Sequence, residues 1–263
     1  MFYNLANLLG ADQPFLGVPG TDGAALPVPY RLEDYAADQL QVIRRIQPEG
    51  PYCLGGWSAS AALSYEVAQQ LRAQGQEVSL LVLFDGMNPG GFQQLALPER
   101  VENRIAKIAA RVRFHRSNLK RDGAGYIRTF MRDRWIWLNF LSRRKFWVFS
   151  YRAHIHLGRR LPRWLQYPGD VLIQCFYEYQ PKPYPGRVLL FRHGGRPANA
   201  AEDQLLGWKG LLTGSVEVCE VFGNHRGIFR EPNVRVMADK LSESLLDVQL
   251  SGETDLRQAV ARL

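Results

Sequence analysis

The sequence is poor in the features that mark secreted, metal-binding or membrane-spanning proteins. Its 263 residues include three cysteines without disulfide-framework or metal-ligand spacing, which predicts no metal and favours a reduced, cytoplasmic setting. The first residues lack the basic and apolar regions of a signal peptide. The most hydrophobic stretch, residues 135–151, is interrupted by three cations at residues 143–145. It therefore falls short of the roughly 20 apolar residues that span a bilayer, and we expect no stable membrane insertion.

Acidic residues are scarce in the middle third of the chain. Residues 91–180 carry 18 Lys and Arg against 6 Asp and Glu, whereas the whole chain has a net charge of +8. The same residues are rich in Arg, Trp, Phe and Tyr and show no strand-like pattern. Helical spacing is present at 99–120, 125–141 and 146–161. The composition therefore predicts a basic, helical insertion over residues 91–180.

Strands and helices alternate on both sides of this insertion. The helical patterns cover residues 2–9, 31–46, 59–73, 205–212 and 233–246, and the strand-like patterns cover residues 14–18, 52–55, 79–84, 187–191 and 216–221. Such alternation predicts an α/β fold with a mostly parallel, doubly wound sheet. The core would then comprise residues 1–90 and 181–250, followed by a polar tail at 251–263.

Ser58 lies between an apolar, strand-like run and a helical pattern. Two glycines precede Trp57 and Ser58, and a small-residue stretch from Ala59 opens the helix. Strand, tight turn and helix are the context of a nucleophile elbow, in which small residues let the strand and the helix approach each other. The motif here is Gly56-x-Ser58-x-Ser60. The sequence therefore predicts that Ser58 is a nucleophile.

A serine nucleophile needs a base, and five histidines are available. His225 follows the last predicted strand, where a loop would bring its ring over the carboxyl edge of the sheet. His193 follows the preceding strand. The other three, at positions 115, 154 and 156, lie in the basic insertion, where packing or surface roles are expected. The order of the elements favours His225 as the base.

The base needs an acid to orient it. Asp85 ends the strand that follows the elbow helix, so its carboxylate would lie at the edge where Ser58 and His225 are expected. The rival position, after strand 187–191, is occupied by Arg192 and His193, and the nearest acids there are Glu202 and Asp203 about ten residues on. We therefore expect Asp85 to be the acid.

With these residues in place, the sequence resembles the thioesterase domains that end nonribosomal peptide and polyketide synthetases, a branch of the α/β-hydrolases. The stretches that carry the resemblance are residues 50–58, 65–71, 83–85, 183–188, 206–208, 223–225 and 231–232. The resemblance implies an α/β-hydrolase-like fold in which Ser58 accepts the acyl group, His225 is the base and Asp85 orients it. It also implies that the N–H of Ala59 is an oxyanion-hole donor. Residues 91–180 would correspond to the variable helical lid.

The sequence departs from the family pattern at three places. Ser60 replaces a glycine of the elbow, and Asn224 replaces an aspartate that is common before the histidine. The apolar strand and glycine-rich loop that precede the first helix in the family are not seen, and that loop supplies the other oxyanion donor. A site with one donor fewer is expected to react roughly 100- to 1000-fold more slowly.

The function that the resemblance implies is release of an acyl or peptidyl chain from a carrier protein, by hydrolysis or cyclisation. The substrate would be presented on a phosphopantetheine arm, and no other cofactor is expected. The alternative is a catalytically impaired hydrolase-like module that binds carrier protein or acyl chains. The basic insertion raises nucleic-acid or anionic-membrane binding as a third interpretation. Its cations are evenly spread and form no known nucleic-acid motif, so we expect no nucleic-acid partner.

Overall fold

The computed structural model describes most of the α/β part of the chain and a portion of the insertion. The described residues are 2–19, 30–89, 131, 135, 139, 142–143, 145–159, 162, 165, 168–194, 204–222, 225 and 227–260. The chain forms two compact units. Unit 1 comprises Met1–Asp22, Tyr30–Phe92 and Val171–Leu263, and unit 2 comprises Gly23–Pro29 and Gln93–Asp170.

Unit 1 is built on a four-stranded parallel sheet with the order β1-β2-β3-β4. Its strands are β1 (Tyr52–Trp57), β2 (Val78–Phe84), β3 (Val188–His193) and β4 (Val216–Val221). Helices with both ends among the described residues are α1 (Tyr3–Leu9), α2 (Leu32–Ile46), α3 (Ala59–Ala73), α4 (Pro168–Glu178) and α5 (Asn233–Val260). The predicted α/β class with a parallel sheet is confirmed.

Strand β2 is apolar except for Ser79 because helices cover both faces of the sheet. Successive side chains of a strand point to opposite faces. Leu80, Val82 and Phe84 join a core cluster with residues of α1 and α5. Leu81 and Leu83 are fully buried on the other face, where α3 packs against β1 and β2 and α2 packs against α3. The sheet is therefore wound on both sides, as predicted.

Two predicted elements are wrong. Residues 14–18 form no strand, and Leu16 leaves 62% of its surface exposed instead of joining the sheet. The predicted helix at 205–212 is a series of turns because Leu206, Gly207 and Gly210 have φ angles of 54°, 85° and 81°. Such left-handed backbone cannot continue a right-handed helix. These turns bury Trp208, whose indole N–H donates to the Gly86 carbonyl at 2.9 Å.

Helix α5 is longer than predicted, and α4 was missed. The pattern predicted that the last helix ends at Leu246, but the helix continues to Val260. Its final turns lack a strong apolar stripe, so the sequence pattern did not reveal them. Helix α4 begins at Pro168, a favourable first helical residue, and lies at the end of the segment treated as insertion.

The described part of unit 2 contains a helical stretch at residues 145–156, which agrees with most of the predicted helix at 146–161. Trp147 and Tyr151 are buried there and stack with ring centroids 5.0 Å apart, whereas Phe146 and Phe149 are exposed. The predicted helix at 99–120 and most of that at 125–141 lie outside the described residues. Among the described residues, no helix combines the length and apolarity needed to cross a bilayer.

Candidate active site

Ser58 occupies a sharp turn between β1 and α3. It has φ 59° and ψ −125°, a left-handed conformation that costs energy for a serine. Its own N–H donates to the Phe84 carbonyl at 3.1 Å, and its carbonyl accepts from the N–H of Ala61 at 3.1 Å. These bonds tie the turn to the neighbouring strand and to the first turn of α3. The geometry is that of the predicted nucleophile elbow.

Gly56 and Gly86 lie so close to α3 that neither position has room for a Cβ. A Cβ at Gly56 would lie 2.2 Å from the Ser60 carbonyl oxygen, and a Cβ at Gly86 would lie 2.0 Å from the Cβ of Ala61. Both distances are far shorter than van der Waals contact. Ser60 itself lies within α3 and is accommodated with its side chain. The strict requirement for glycine therefore falls on positions 56 and 86.

Asp85 follows β2 directly and presents a completely buried side chain. Its φ of 50° turns the chain away from the strand direction. One carboxylate oxygen, Oδ2, lies 2.5 Å from Nδ1 of His225. The other, Oδ1, accepts the backbone N–H of His193 at 3.2 Å. The parallel order of β2, β3 and β4 brings these three residues to one edge of the sheet.

His225 lies in the turn after β4 and links the acid to the serine. Its Nε2 lies 3.1 Å from Oγ of Ser58. With Nδ1–H donating to Asp85, the tautomer leaves Nε2 free to accept the serine hydroxyl proton. The side chain of His225 is 38% exposed, whereas that of Asp85 is fully buried. The arrangement is able to activate a serine for nucleophilic attack.

Two further side chains contact this site, and the sequence analysis did not assign either to it. The Trp57 ring stacks on the His225 ring with centroids 4.8 Å apart. Nε2 of His193 lies 3.8 Å from Oδ2 of Asp85. Two features of the sequence could have pointed to these residues. Trp57 directly precedes the elbow serine, and His193 ends the strand that pairs with β2.

Of the other residues that the sequence suggested for the site, one lies at the site and the rest lie elsewhere or outside the described residues. Ala59 is the first residue of α3, directly after the serine, as an oxyanion donor requires. His156 lies in unit 2, and so does His154, whose ring Nδ1 contacts the Ser150 carbonyl at 2.8 Å. Three of the other residues considered, at positions 115, 202 and 203, lie outside the described residues, as does Asn224. Within the described ranges, no group of three or more His, Cys, Asp and Glu side chains is arranged to hold a metal ion.

The parallel sheet, the elbow and the contacts from Ser58 through His225 to Asp85 are the arrangement of an α/β-hydrolase fold. Two solved structures share this fold at low sequence identity. A four-domain nonribosomal peptide synthetase bound to AMP and glycine aligns with 92% of this chain and 18% of its own length, with a TM-score of 0.56 and 21% identity. The RedJ thioesterase of prodiginine biosynthesis in Streptomyces coelicolor aligns over 92% of this chain and 80% of its own, with a TM-score of 0.54 and 18% identity.

Sequence comparisons show similarity to thioesterase domains and to nonribosomal peptide synthases. The thioesterase-domain family matches residues 1–113. A dimodular nonribosomal peptide synthase of Bacillus subtilis is 28% identical over 259 residues, which is 92% of this chain and 10% of the relative. Chondramide synthase of Chondromyces crocatus is 26% identical over 94% of this chain and 6% of its own length.

The resemblance to the thioesterase domains of nonribosomal peptide and polyketide synthetases that was drawn from the sequence is confirmed, since residues 1–113 match the thioesterase-domain family and the similarity to nonribosomal peptide synthases extends over nearly the whole chain. The chain spans a tenth or less of the curated relatives described above.

Proposed function

We propose that this thioesterase domain releases an acyl or peptidyl chain from a phosphopantetheinyl carrier protein through an acyl-enzyme on Ser58. The observation that carries the proposal is the unbroken contact chain from Ser58 Oγ to His225 Nε2 and from His225 Nδ1 to Asp85 Oδ2, at 3.1 and 2.5 Å. Such a chain can remove the serine proton and return it to a leaving group.

In the acylation half of the reaction, Ser58 Oγ attacks the thioester carbonyl carbon while His225 Nε2 takes the hydroxyl proton. The carbonyl oxygen becomes an oxyanion, for which the N–H of Ala59 at the N-terminus of α3 is the proposed donor. Collapse of the tetrahedral intermediate breaks the C–S bond. His225 then gives the proton to the departing phosphopantetheine sulfur, and the chain remains on Ser58 as an ester.

In the second half, a nucleophile attacks the ester carbonyl, and His225 takes a proton from that nucleophile. The C–O bond to Ser58 breaks, and the proton returns to Ser58 Oγ. When the nucleophile is water, the product is a free acid. When it is a hydroxyl or amine of the bound chain, the product is a macrocycle. Asp85 keeps its negative charge throughout and stabilises the imidazolium that forms in each half.

The partner that we propose is an acidic carrier protein, and the basic insertion supplies the complementary charge. Residues 91–180 carry 18 cations and 6 acids, and the described cations Arg143, Lys145, Arg152 and Arg159 are exposed. A surface of this charge raises the association rate of an acidic partner, and salt screens the effect.

A fluorophosphonate probe with mass-spectrometric mapping tests the proposed nucleophile. We expect modification of Ser58, no labelling of Ser58→Ala and full labelling of Ser60→Ala, which removes the neighbouring hydroxyl. Hydrolysis of an acyl-N-acetylcysteamine thioester should follow the same pattern. An adduct at another serine, or equal labelling of Ser58→Ala, would exclude the mechanism. Carrier binding without labelling or turnover would instead support the binding-module alternative.

The carrier-docking part is tested separately by stopped-flow association of an acyl-loaded carrier protein at increasing ionic strength. We expect a steep loss of association rate with salt. Neutralising the cations at residues 143–145 with glutamine should slow association, while turnover of the N-acetylcysteamine thioester remains unchanged. An association rate that is independent of salt, or insensitive to the triple substitution, would refute docking through the basic insertion.

A further inference from the structure

Two histidines converge on the buried carboxylate of Asp85. His225 contacts Oδ2 through its ring at 2.5 Å. His193 contacts the same carboxylate twice, since its backbone N–H donates to Oδ1 at 3.2 Å and its ring Nε2 lies 3.8 Å from Oδ2. The His193 side chain is only 14% exposed and that of Asp85 is fully buried. Both imidazole rings therefore lie beside the same carboxylate oxygen, Oδ2.

The sheet itself explains why His193 reaches this place. Phe84 and Phe191 are the last residue pair between β2 and β3, and the N–H of Asp85 then donates to the Phe191 carbonyl at 2.7 Å. The next N–H of β3 that points towards β2 is that of His193. Strand β2 has ended by then, because the chain turns at Asp85, so no carbonyl of β2 accepts this N–H. The side-chain oxygen Oδ1 of Asp85 accepts it instead. This oxygen thus continues the ladder by one bond.

The other edge of β3 stays paired beyond this point. His193 pairs with Val221 of β4, and the N–H of Gly194 donates to the Val221 carbonyl at 2.9 Å. The backbone of His193 is consequently held on both sides, by β4 and by Asp85. A residue held this firmly gives its side chain a defined position against the carboxylate.

We propose that His193 is a positioning residue for the proposed Ser58–His225–Asp85 triad. Its backbone N–H fixes Oδ1, and its ring occupies the space beside Oδ2, so that the carboxylate keeps the orientation in which Oδ2 meets Nδ1 of His225. Without the ring, Oδ1 is still held by the backbone N–H, but Oδ2 loses the neighbour that packs beside it and water gains access to that oxygen. The imidazole of His225 then loses part of its orientation towards Ser58. The inference rests on the proposed function of these three residues.

The test is a double-mutant cycle between His193→Ala and Asp85→Asn, measured as kcat and KM for an acyl-N-acetylcysteamine thioester. We expect His193→Ala to lower kcat roughly 10- to 100-fold with little change in KM, since misplacement of a catalytic group acts on the chemical step. In the Asp85→Asn background the same substitution should cause no further loss. His193→Gln, which keeps a planar N–H group near the Nε2 position, should recover most of the rate. His156→Ala, at an exposed histidine of unit 2, is the matched control and should have no effect.

The proposal is overturned if His193→Ala lowers kcat by the same factor in both backgrounds, or if His193→Ala leaves kcat unchanged. A third result also overturns it: His193→Ala and His193→Gln both lower the melting temperature, and the loss of kcat in each variant is proportional to its loss of thermal stability.

A proton NMR measurement separates failure of this proposal from failure of the proposed function. The Nδ1–H of His225 that donates to Asp85 should give a downfield resonance, which Asp85→Asn abolishes and His193→Ala shifts or broadens. An unchanged resonance in His193→Ala contradicts the positioning role even in a protein that shows no turnover. Absence of probe labelling and turnover in the unaltered protein, with the resonance shifted by His193→Ala, refutes the function and supports the positioning role.

Discussion

The indole ring of Trp57 lies nearly parallel to the imidazole ring of His225, with centroids 4.8 Å apart and an interplanar angle of 15°. Phe229 packs against the indole from the side, at a centroid distance of 6.2 Å. Because Trp57 and Ser58 are consecutive, the end of β1 contacts His225 twice, once through the ring and once through the serine hydroxyl. The stacked face also favours the positively charged imidazolium that forms when His225 takes the proton.

Replacing Trp57 with leucine should lower kcat for a thioester by about 3- to 30-fold, because the favourable contact between the indole face and the imidazolium is lost. Trp57→Tyr keeps an aromatic face and should retain most of the rate. The measurement is steady-state kinetics with an acyl-N-acetylcysteamine substrate. Trp135→Leu, at a tryptophan of unit 2 that is 67% exposed, is the control. Equal rates for Trp57→Leu and the unaltered protein would show that the stacking has no catalytic role.

Asp85→Asn should leave the fold intact and reduce kcat by up to about 10⁴-fold, as in serine proteases whose acid is changed to an amide. The amide no longer fixes the His225 tautomer that leaves Nε2 free to accept the Ser58 proton. The rate of probe labelling and thioester turnover should fall together, with an unchanged circular dichroism spectrum. Glu202→Gln and Asp203→Asn test the rival acids and should keep normal activity. Loss of activity in either of them, with Asp85→Asn active, would assign the acid to the segment after β3.

Gly86→Ala should destabilise the protein by about 1–3 kcal/mol, the usual cost of forcing an extra methyl group into a packed core. The added Cβ would lie 2.0 Å from the Cβ of Ala61 in α3. The double variant Gly86→Ala with Ala61→Gly removes one of the two clashing methyl groups, so its loss should be smaller than the sum of the single losses. Gly17→Ala is the control, since a Cβ there meets no atom within 4 Å. Denaturant unfolding measures all four variants, and strict additivity would contradict the clash.

Tyr179→Phe should destabilise unit 1 by about 1–3 kcal/mol, because it removes a hydrogen bond to a buried carboxylate. The Tyr179 hydroxyl donates to Oε2 of Glu66 at 2.6 Å, while Gln70 donates to Oε1 at 2.9 Å. Burial, together with the nearby Glu66, raises the pKa of Tyr179. The hydroxyl therefore stays protonated and keeps donating at alkaline pH.

Tyr184→Phe is the matched control for this prediction. The Tyr184 hydroxyl is buried and finds no hydrogen-bond partner among the residues that the structure describes. Deleting an unpaired buried hydroxyl removes a desolvation cost, so the variant should be neutral or slightly more stable. Unfolding in urea compares the two. A greater loss for Tyr184→Phe than for Tyr179→Phe would invalidate the hydrogen-bond argument.

Local sequence order determined much of the fold and the nucleophile. The apolar run before Gly56, the small residues after Ser58 and the helical pattern to Ala73 are contiguous, so strand, elbow and helix were predictable together. The same held for β2 and β4, whose apolar or alternating patterns are short and uninterrupted. The turns at 205–212 were not predictable from spacing, because left-handed backbone at Leu206 and its neighbours breaks a pattern that otherwise suits a helix.

Only the tertiary structure decided the contacts between residues that are far apart in the chain. The sequence named Ser58, Asp85 and His225 as candidates, but the 2.5 and 3.1 Å contacts depend on three parallel strands ending at one edge of the sheet. The stacking of Trp57 on His225 and the contacts of His193 with Asp85 could not be predicted from the sequence for the same reason. A one-dimensional pattern reveals which face of an element is buried, whereas strand order and register decide which side chains meet.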